Sequence, residues 1–232
     1  MRHSAFWAFA LLAIGLQSAH AELLTVSSYD TYNGDKGSYT YIDDNYTGSG
    51  NSMLEGDWLF GGLGKLTDGV VASGSWITTE QVSNTDTNGQ YLGWYTHQLV
   101  AITFHFNQLI SLQRFSVYAD DGEYQGVIRY GGVAAPSSVQ INDGQSFALG
   151  DIVNEGPNTY TFDTTPLVTD QITLTFTPNE KYWVFLSEIT FEGELLGFDA
   201  GHNTEAPTDV PTAPLFGFAL CGLLFSRRKP QA

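Results

Sequence analysis

The stretch LVAITFHF, Leu99 to Phe106, sets large apolar residues at every second position: Val100, Ile102, Phe104 and Phe106 alternate with Ala101, Thr103 and His105. A period of two sends alternate side chains to opposite faces of an extended chain, so the stretch predicts a β-strand with one buried and one solvated face. QITLTFT, Gln171 to Thr177, repeats the pattern, with Ile172, Leu174 and Phe176 inward and the threonines outward. RFSVYA (114–119), SSVQIN (137–142), TYTFDT (159–164) and SEITFEG (187–193) read the same way, each bounded by Gly, Pro, Asn or Asp. No window of comparable quality carries apolar residues at helical spacing. Regular strands joined by polar turns predict an all-β fold, an antiparallel β-sandwich of jelly-roll type.

The two ends differ from this middle. Arg2 and His3 precede an apolar run from Ala5 to Leu16, and Ala19-His20-Ala21 has the small-x-small pattern of a secretory cleavage site. Residues 1–21 therefore read as a signal peptide, with the mature chain beginning at Glu22 and the sandwich filling 22–196. A Gly-, Asp-, Thr- and Pro-rich spacer follows over 197–209. Residues 210–232 hold a Val210-Pro211 turn, Pro214, an apolar run from Leu215 to Phe225, and the cations Arg227, Arg228 and Lys229, which favour the cytoplasmic side of a membrane. This tail resembles the PEP-CTERM sorting signal of Gram-negative bacteria, although Thr212 stands where that pattern has Glu. The resemblance implies an exosortase-type protease as partner. It also implies contact with the inner membrane only through the tail before processing, and delivery to the cell surface or extracellular matrix.

The formal charge is −16, and the acidic residues all lie between Glu22 and Asp209 while Arg2, Arg227, Arg228 and Lys229 lie outside them. Such a surface repels nucleic acid and anionic lipid, and suits cations, neutral sugars or a hydrated polymer matrix. The single cysteine, Cys221, is in the tail, which leaves the rest without disulfide, thiolate metal site or cysteine nucleophile. From Tyr29 to Gly56 the chain is rich in Gly, Asn, Asp and Tyr and predicts a long loop or a pair of short ribbons.

The stretch GKLTDGVVASGSW, Gly64 to Trp76, sets an Asp68-Gly69 pair ahead of a tryptophan. Asp-Gly alone reads as a turn, because Asp bonds its own backbone and Gly accepts positive φ. In order, KLTDG, Trp76, LGWYTHQLVAITFHF, FSVYADDGEYQGV, the Pro136-led SSVQI and SEITFEG resemble the discoidin, or coagulation factor 5/8 C-terminal, family of galactose-binding-like sandwiches, over roughly 37–193. That resemblance implies a calcium site made by Asp68 and Glu188, with Lys65, Val70, Ser73 and Ser187 as candidate backbone or hydroxyl donors. Calcium takes six to eight oxygens from such mixed sets. It also implies glycan binding at loops on one end of the sandwich, for which Tyr91, Trp94, His97, Tyr124, Arg129 and Tyr130 are the candidates: aromatic faces stack on sugar C–H groups, and Arg or His donate to hydroxyls. Buried aromatics of the core are the competing reading for Trp94 and Trp183.

Asp120, Asp121 and Glu123 in ADDGEY do not form a glycosidase pair, since neighbouring carboxylates on a strand diverge; a solvated turn or a second cation site is expected there. No nucleophile elbow, zinc-protease helix or phosphate loop is present. The reading that results is an exported protein with non-catalytic, calcium-supported binding of an extracellular polysaccharide or other glycan. An acidic structural matrix protein is the alternative, and a hydrolase acting on extracellular polysaccharide the more distant one.

Overall fold

The computed structural model of the chain describes residues 21–37, 39–80, 89–95, 99–124, 127–128, 132–150, 156–179 and 183–197. All of them belong to the unit that ends at Gly197. The strands are β1 (Glu22–Leu24), β2 (Ser28–Tyr32), β3 (Trp58–Gly62), β4 (Leu92–Tyr95), β5 (Val100–Asp121), β6 (Glu123–Tyr124), β7 (Val127–Ile128), β8 (Ser138–Ile141), β9 (Ser146–Ala148), β10 (Gly156–Thr177) and β11 (Trp183–Leu195), with one helical turn, α1 (Trp76–Thr79), between β3 and β4. Every pairing between these strands is antiparallel.

The sandwich is organised by a long ribbon of β5 and β10, each 22 residues. The first part of β5 lies between β2 and the end of β10, which continues to β8 and β9; the second part lies between β11 and the start of β10. The ribbon thus serves both layers. Its inward set changes parity on the way: Val100, Ile102, Phe104, Phe106, Ile110 and Leu112 are buried, then Phe115, Val117 and Ala119. A β-bulge causes the change, because Leu112 faces Gly193 and Arg114 faces Glu192, leaving Gln113 unopposed on β11. The alternation expected for LVAITFHF and QITLTFT is present, and the expected strand of Arg114–Ala119 is the continuation of the first of these.

Between the layers, Phe191 of β11 meets Phe104 and Phe106 of β5 edge-on, with ring centroids 4.9 and 5.5 Å apart. A second apolar cluster gathers Tyr41, Trp76, Tyr91, Val133 and Phe185, with Trp183 packed against it. Here Tyr41 contacts the rings of Trp76, Trp183 and Phe185.

The Tyr29–Gly56 segment begins inside β2 and is otherwise irregular, with isolated bridges at Lys36–Thr40 and Ser49–Phe60. Buried side chains do what strand pairing does elsewhere. Asn33 is fully buried; its Oδ1 accepts from the N–H of Gly34 and Asp43 and its Nδ2 donates to the carbonyls of Ser52 and Leu54. Asp43 accepts from the Tyr29 hydroxyl and from the Lys65 N–H. Satisfied polar groups of this kind let an irregular chain be buried.

The expectation of a solvated ADDGEY turn is corrected for its first residues. Asp120 is 0 % and Asp121 4 % exposed. Asp120 Oδ2 accepts from the Trp76 N–H at 2.7 Å and the Ser75 hydroxyl at 3.1 Å, and so serves the start of α1 from a distant strand. Burial pushes its carboxyl up to about 6.

Candidate functional site

Two places gather the chemistry. At the first, the Asp-Gly loop packs on the edge of β11. Along that edge β4 pairs with Trp183–Leu186 and β1 with Phe191–Gly193, and between them the Ile189 N–H donates to the Leu66 carbonyl. A bulge at Ser187, left unopposed between Leu186–Ala119 and Glu188–Tyr118, shifts the inward set from Val184 and Leu186 to Ile189 and Phe191. The shift turns Glu188 toward the loop.

There Glu188 Oε2 accepts from the Gly69 N–H at 3.0 Å, and Asp68 Oδ1 from the Val70 N–H at 2.9 Å. Gly69 has φ +79°, the left-handed conformation that its lack of Cβ permits. Burial pushes the Glu188 carboxyl up to about 8; the Gly69 N–H opposes the shift and the Asp68 charge adds to it. Asp68 and Glu188, 120 positions apart in the chain by their numbers, therefore act on one another directly.

The other candidate cation donors are placed as follows. Lys65 turns its ammonium to the Ile42 carbonyl at 2.6 Å and to Asp44 at 2.8 Å, in a buried pair. Ser73 donates to Gln90 Oε1 at 3.1 Å, and Ser187 is buried with its hydroxyl 3.5 Å from the Tyr118 carbonyl. Val70 is exposed. Lys65, Asp68, Val70, Asp44, Asn45 and Gln90 line one cavity of about 330 Å³. Among the described residues no group of three or more His, Cys, Asp or Glu side chains is placed to hold a metal. The oxygen donors that the structure brings to the loop are the carboxylates of Asp68 and Glu188, a chemistry that calcium accepts. A buried carboxylate beside a second one also fits, since a cation relieves the repulsion.

At the second place, a groove of about 450 Å³ runs between β2, β3 and the β4–β5 end of the sandwich. Its wall is a cross-strand aromatic pair: Tyr32 and Trp58 face each other in register with ring centroids 3.6 Å apart, and Phe60 continues the row at 5.7 Å from Trp58, nearly parallel. Tyr32, Trp58 and Phe60 are 45–47 % exposed. Leu59, between two of them on β3, is fully buried, so the period-two pattern here directs aromatics to solvent. Trp94 backs the groove, 5 % exposed, with Nε1 donating to the Tyr32 carbonyl at 3.0 Å. Tyr95 and Asp35 also line the groove, joined by a 2.7 Å bond from the Tyr95 N–H to Asp35 Oδ2. Burial, with the Glu55 charge adding, raises the Asp35 carboxyl above its ordinary value.

Of the candidate sugar contacts, Trp94 lines this groove, while Tyr91 is fully buried in the second apolar cluster with its hydroxyl donating to the Gly74 carbonyl. Tyr124 is described only as part of β6; His97, Arg129 and Tyr130 lie outside the described residues, as do the sorting residues Val210, Pro211, Pro214, Arg227, Arg228 and Lys229. Tyr32, Trp58, Tyr95 and Asp35 were not among the residues singled out from the sequence. For Trp58 the signal that could have found it is DWLFGG, where aromatic residues two apart flank a leucine.

Among curated proteins none matches the chain. Solved structures similar to it include the C-terminal domain of a chitobiase from Bacteroides fragilis, at 9 % identity and TM-score 0.38, covering 76 % of this chain and 100 % of that one. Another is chitosan-binding module 1 from a chitosanase/glucanase of Paenibacillus sp. IK-5, at 11 % identity and TM-score 0.36, covering 75 % and 99 %. A third is the family 32 carbohydrate-binding module of Clostridium perfringens NanJ in complex with galactose, at 13 % identity and TM-score 0.29, covering 52 % and 89 %. The sequence profile of the discoidin domain-containing receptor 1/2, DS-like domain, matches residues 25–193, which is most of the chain. The matched residues run from just before β2 into β11 and include the Asp-Gly loop: the chain belongs to the discoidin domain-containing receptor 1/2 DS-like domain family.

Proposed function

We propose that the domain is a non-catalytic carbohydrate-binding module whose sugar sits in the groove of Tyr32, Trp58, Trp94 and Tyr95. The observation that carries the reading is the Tyr32–Trp58 pair, two large rings held in register and left open to solvent beside a carboxylate. Aromatic faces stack on the C–H face of a pyranose, and Asp35 accepts from its hydroxyls. Trp94 acts as a positioning residue, holding the Tyr32 backbone through its indole N–H.

In the same proposal, calcium is the structural ion of the Asp68–Glu188 loop, supplying the positive charge that lets both carboxylates ionise; Val70, Ser73 and Ser187 are its candidate carbonyl or hydroxyl donors, with the Lys65 carbonyl. Export through residues 1–21 and sorting by an exosortase-type protease through the 210–232 tail complete the reading, which places the module at the cell surface or in the extracellular matrix. The sequence features of the two ends support this part. Among the described residues no helix is long and apolar enough to cross a membrane.

Two experiments test it. The purified protein is passed over a panel of neutral, cationic and uronic-acid glycans with calcium and then with chelator; saturable, selective binding is expected. No binding in either condition contradicts the module reading and favours the acidic matrix protein. For sorting, changing Arg227, Arg228 and Lys229 together to glutamine should leave unprocessed protein and abolish surface delivery, followed by immunoblot of cell fractions. Unchanged processing removes the sorting proposal.

A further inference from the structure

The groove has a charge character that the stacking rings alone do not require. Among the described residues its lining contains Asp35 and no Lys, Arg or His, and Glu55 stands close enough for its charge to act on Asp35. Asp35 is held in place, with one oxygen accepting from the Tyr95 N–H, while Tyr41 N–H donates to the Asp35 carbonyl and the Asp35 N–H to Gly93. A fixed carboxylate beside exposed tyrosine and tryptophan faces is the arrangement that recognises an organic cation: the rings attract it through their quadrupole, and the carboxylate pairs with it. The chain as a whole, at −16, adds long-range attraction for cations and repulsion of anions.

Resting on the carbohydrate reading of the same groove, we infer that the preferred ligand is a glycan bearing a free, protonated amine, a hexosamine polymer without its N-acetyl groups, taken by Asp35 and the Tyr32–Trp58 pair. An N-acetylated sugar keeps the stacking but has no cation for Asp35, and a uronic-acid polymer brings a second carboxylate against the first. The order of affinity that follows is amine-bearing, then N-acetylated or neutral, then uronic.

The test is titration calorimetry of the full chain with a β-1,4-linked glucosamine hexamer, its fully N-acetylated counterpart and a galacturonic-acid oligomer, at a pH where the amines are protonated. The amine-bearing hexamer should bind about tenfold tighter than the N-acetylated one, the scale of one cation–π contact with a partly screened ion pair. That preference should shrink as salt is added. Asp35→Asn, which keeps an oxygen for the Tyr95 N–H, should bring the two hexamers to equal affinity, whereas Trp58→Ala, at an exposed position, should weaken both. Equal binding of the two hexamers by the parent protein, or preference for the uronic oligomer, overturns the amine inference while leaving carbohydrate binding in place. A preference that survives Asp35→Asn overturns the assignment to this carboxylate. Failure of all three, together with failure on the wider glycan panel, overturns the carbohydrate reading itself.

Discussion

Replacing Phe191 by alanine should lower the unfolding free energy by about 3–5 kcal/mol, the usual cost of removing a fully buried phenylalanine. Phe191 is 0 % exposed and packs against Phe104 and Phe106 of the opposite layer, so the deletion opens a void where the two layers meet. A loss of this size corresponds to a fall in melting temperature of roughly 10 °C for a domain of this length. Because β11 also carries Glu188, the variant should loosen the Asp-Gly loop, which is visible as faster amide exchange at Gly69 and Val70. A melting temperature within a degree or so of the parent would mean that Phe191 does not join two layers.

The second large effect concerns Glu188. Its carboxyl, at about 8 in the fold against an ordinary value of 4.5, is raised, so the folded state binds the proton more tightly than the unfolded chain does. The stability this adds is fully present below pH 4.5 and is lost as pH rises through about 8. Asp120, raised from 3.8 to about 6, adds a loss of the same sign at lower pH. Without metal, then, the protein should become less stable on going from acid to mildly alkaline solution. Calcium, by taking the ionised form, should offset the Glu188 part of that loss, with its largest effect above pH 8 and almost none near pH 4.5. Glu188→Gln keeps an oxygen for the Gly69 N–H but cannot ionise; in chelator it should exceed the parent above pH 8 by about 2 kcal/mol, a value tempered by solvent reaching the carboxyl. The same variant should no longer respond to calcium. Thermal unfolding of both proteins across pH, with calcium and with chelator, checks all four statements. A parent protein that melts identically with and without calcium above pH 8 contradicts the calcium proposal.

The strands were legible where one face is buried and the other wet. LVAITFHF and QITLTFT carry that contrast without interruption, and their inward residues are those buried in the fold. What the alternation does not carry is continuity: β5 runs unbroken from Val100 to Asp121, but the bulge at Gln113 reverses the parity, so the two halves read as unrelated strands. The Asp-Gly loop and Glu188 could be named from motif order alone, whereas the burial that raises Glu188 depends on the bulge at Ser187 and on Leu66 reaching β11. Asp120 read as solvated because its partner, the start of α1, lies far away in the chain. The groove was hidden for a related reason. Trp58 and Phe60 look like core residues by type, and only the pairing of β3 with β2 shows that Leu59 takes the inward place and the rings the outward one. Asp35 likewise reads as one acid among many until β4 brings Tyr95 to it.

The most direct measurement is a binding isotherm for the tightest glycan of the panel, recorded for the parent protein and for Trp58→Ala, with far-ultraviolet circular dichroism to show that both are folded. Truncating an aromatic that carries a ligand face costs 2 kcal/mol or more, so the variant should bind about thirtyfold more weakly or not at all, with melting temperature little changed because Trp58 is exposed. Equal affinity of the two folded proteins would contradict the placement of the sugar in this groove, and with it the reading of the domain drawn from Tyr32 and Trp58.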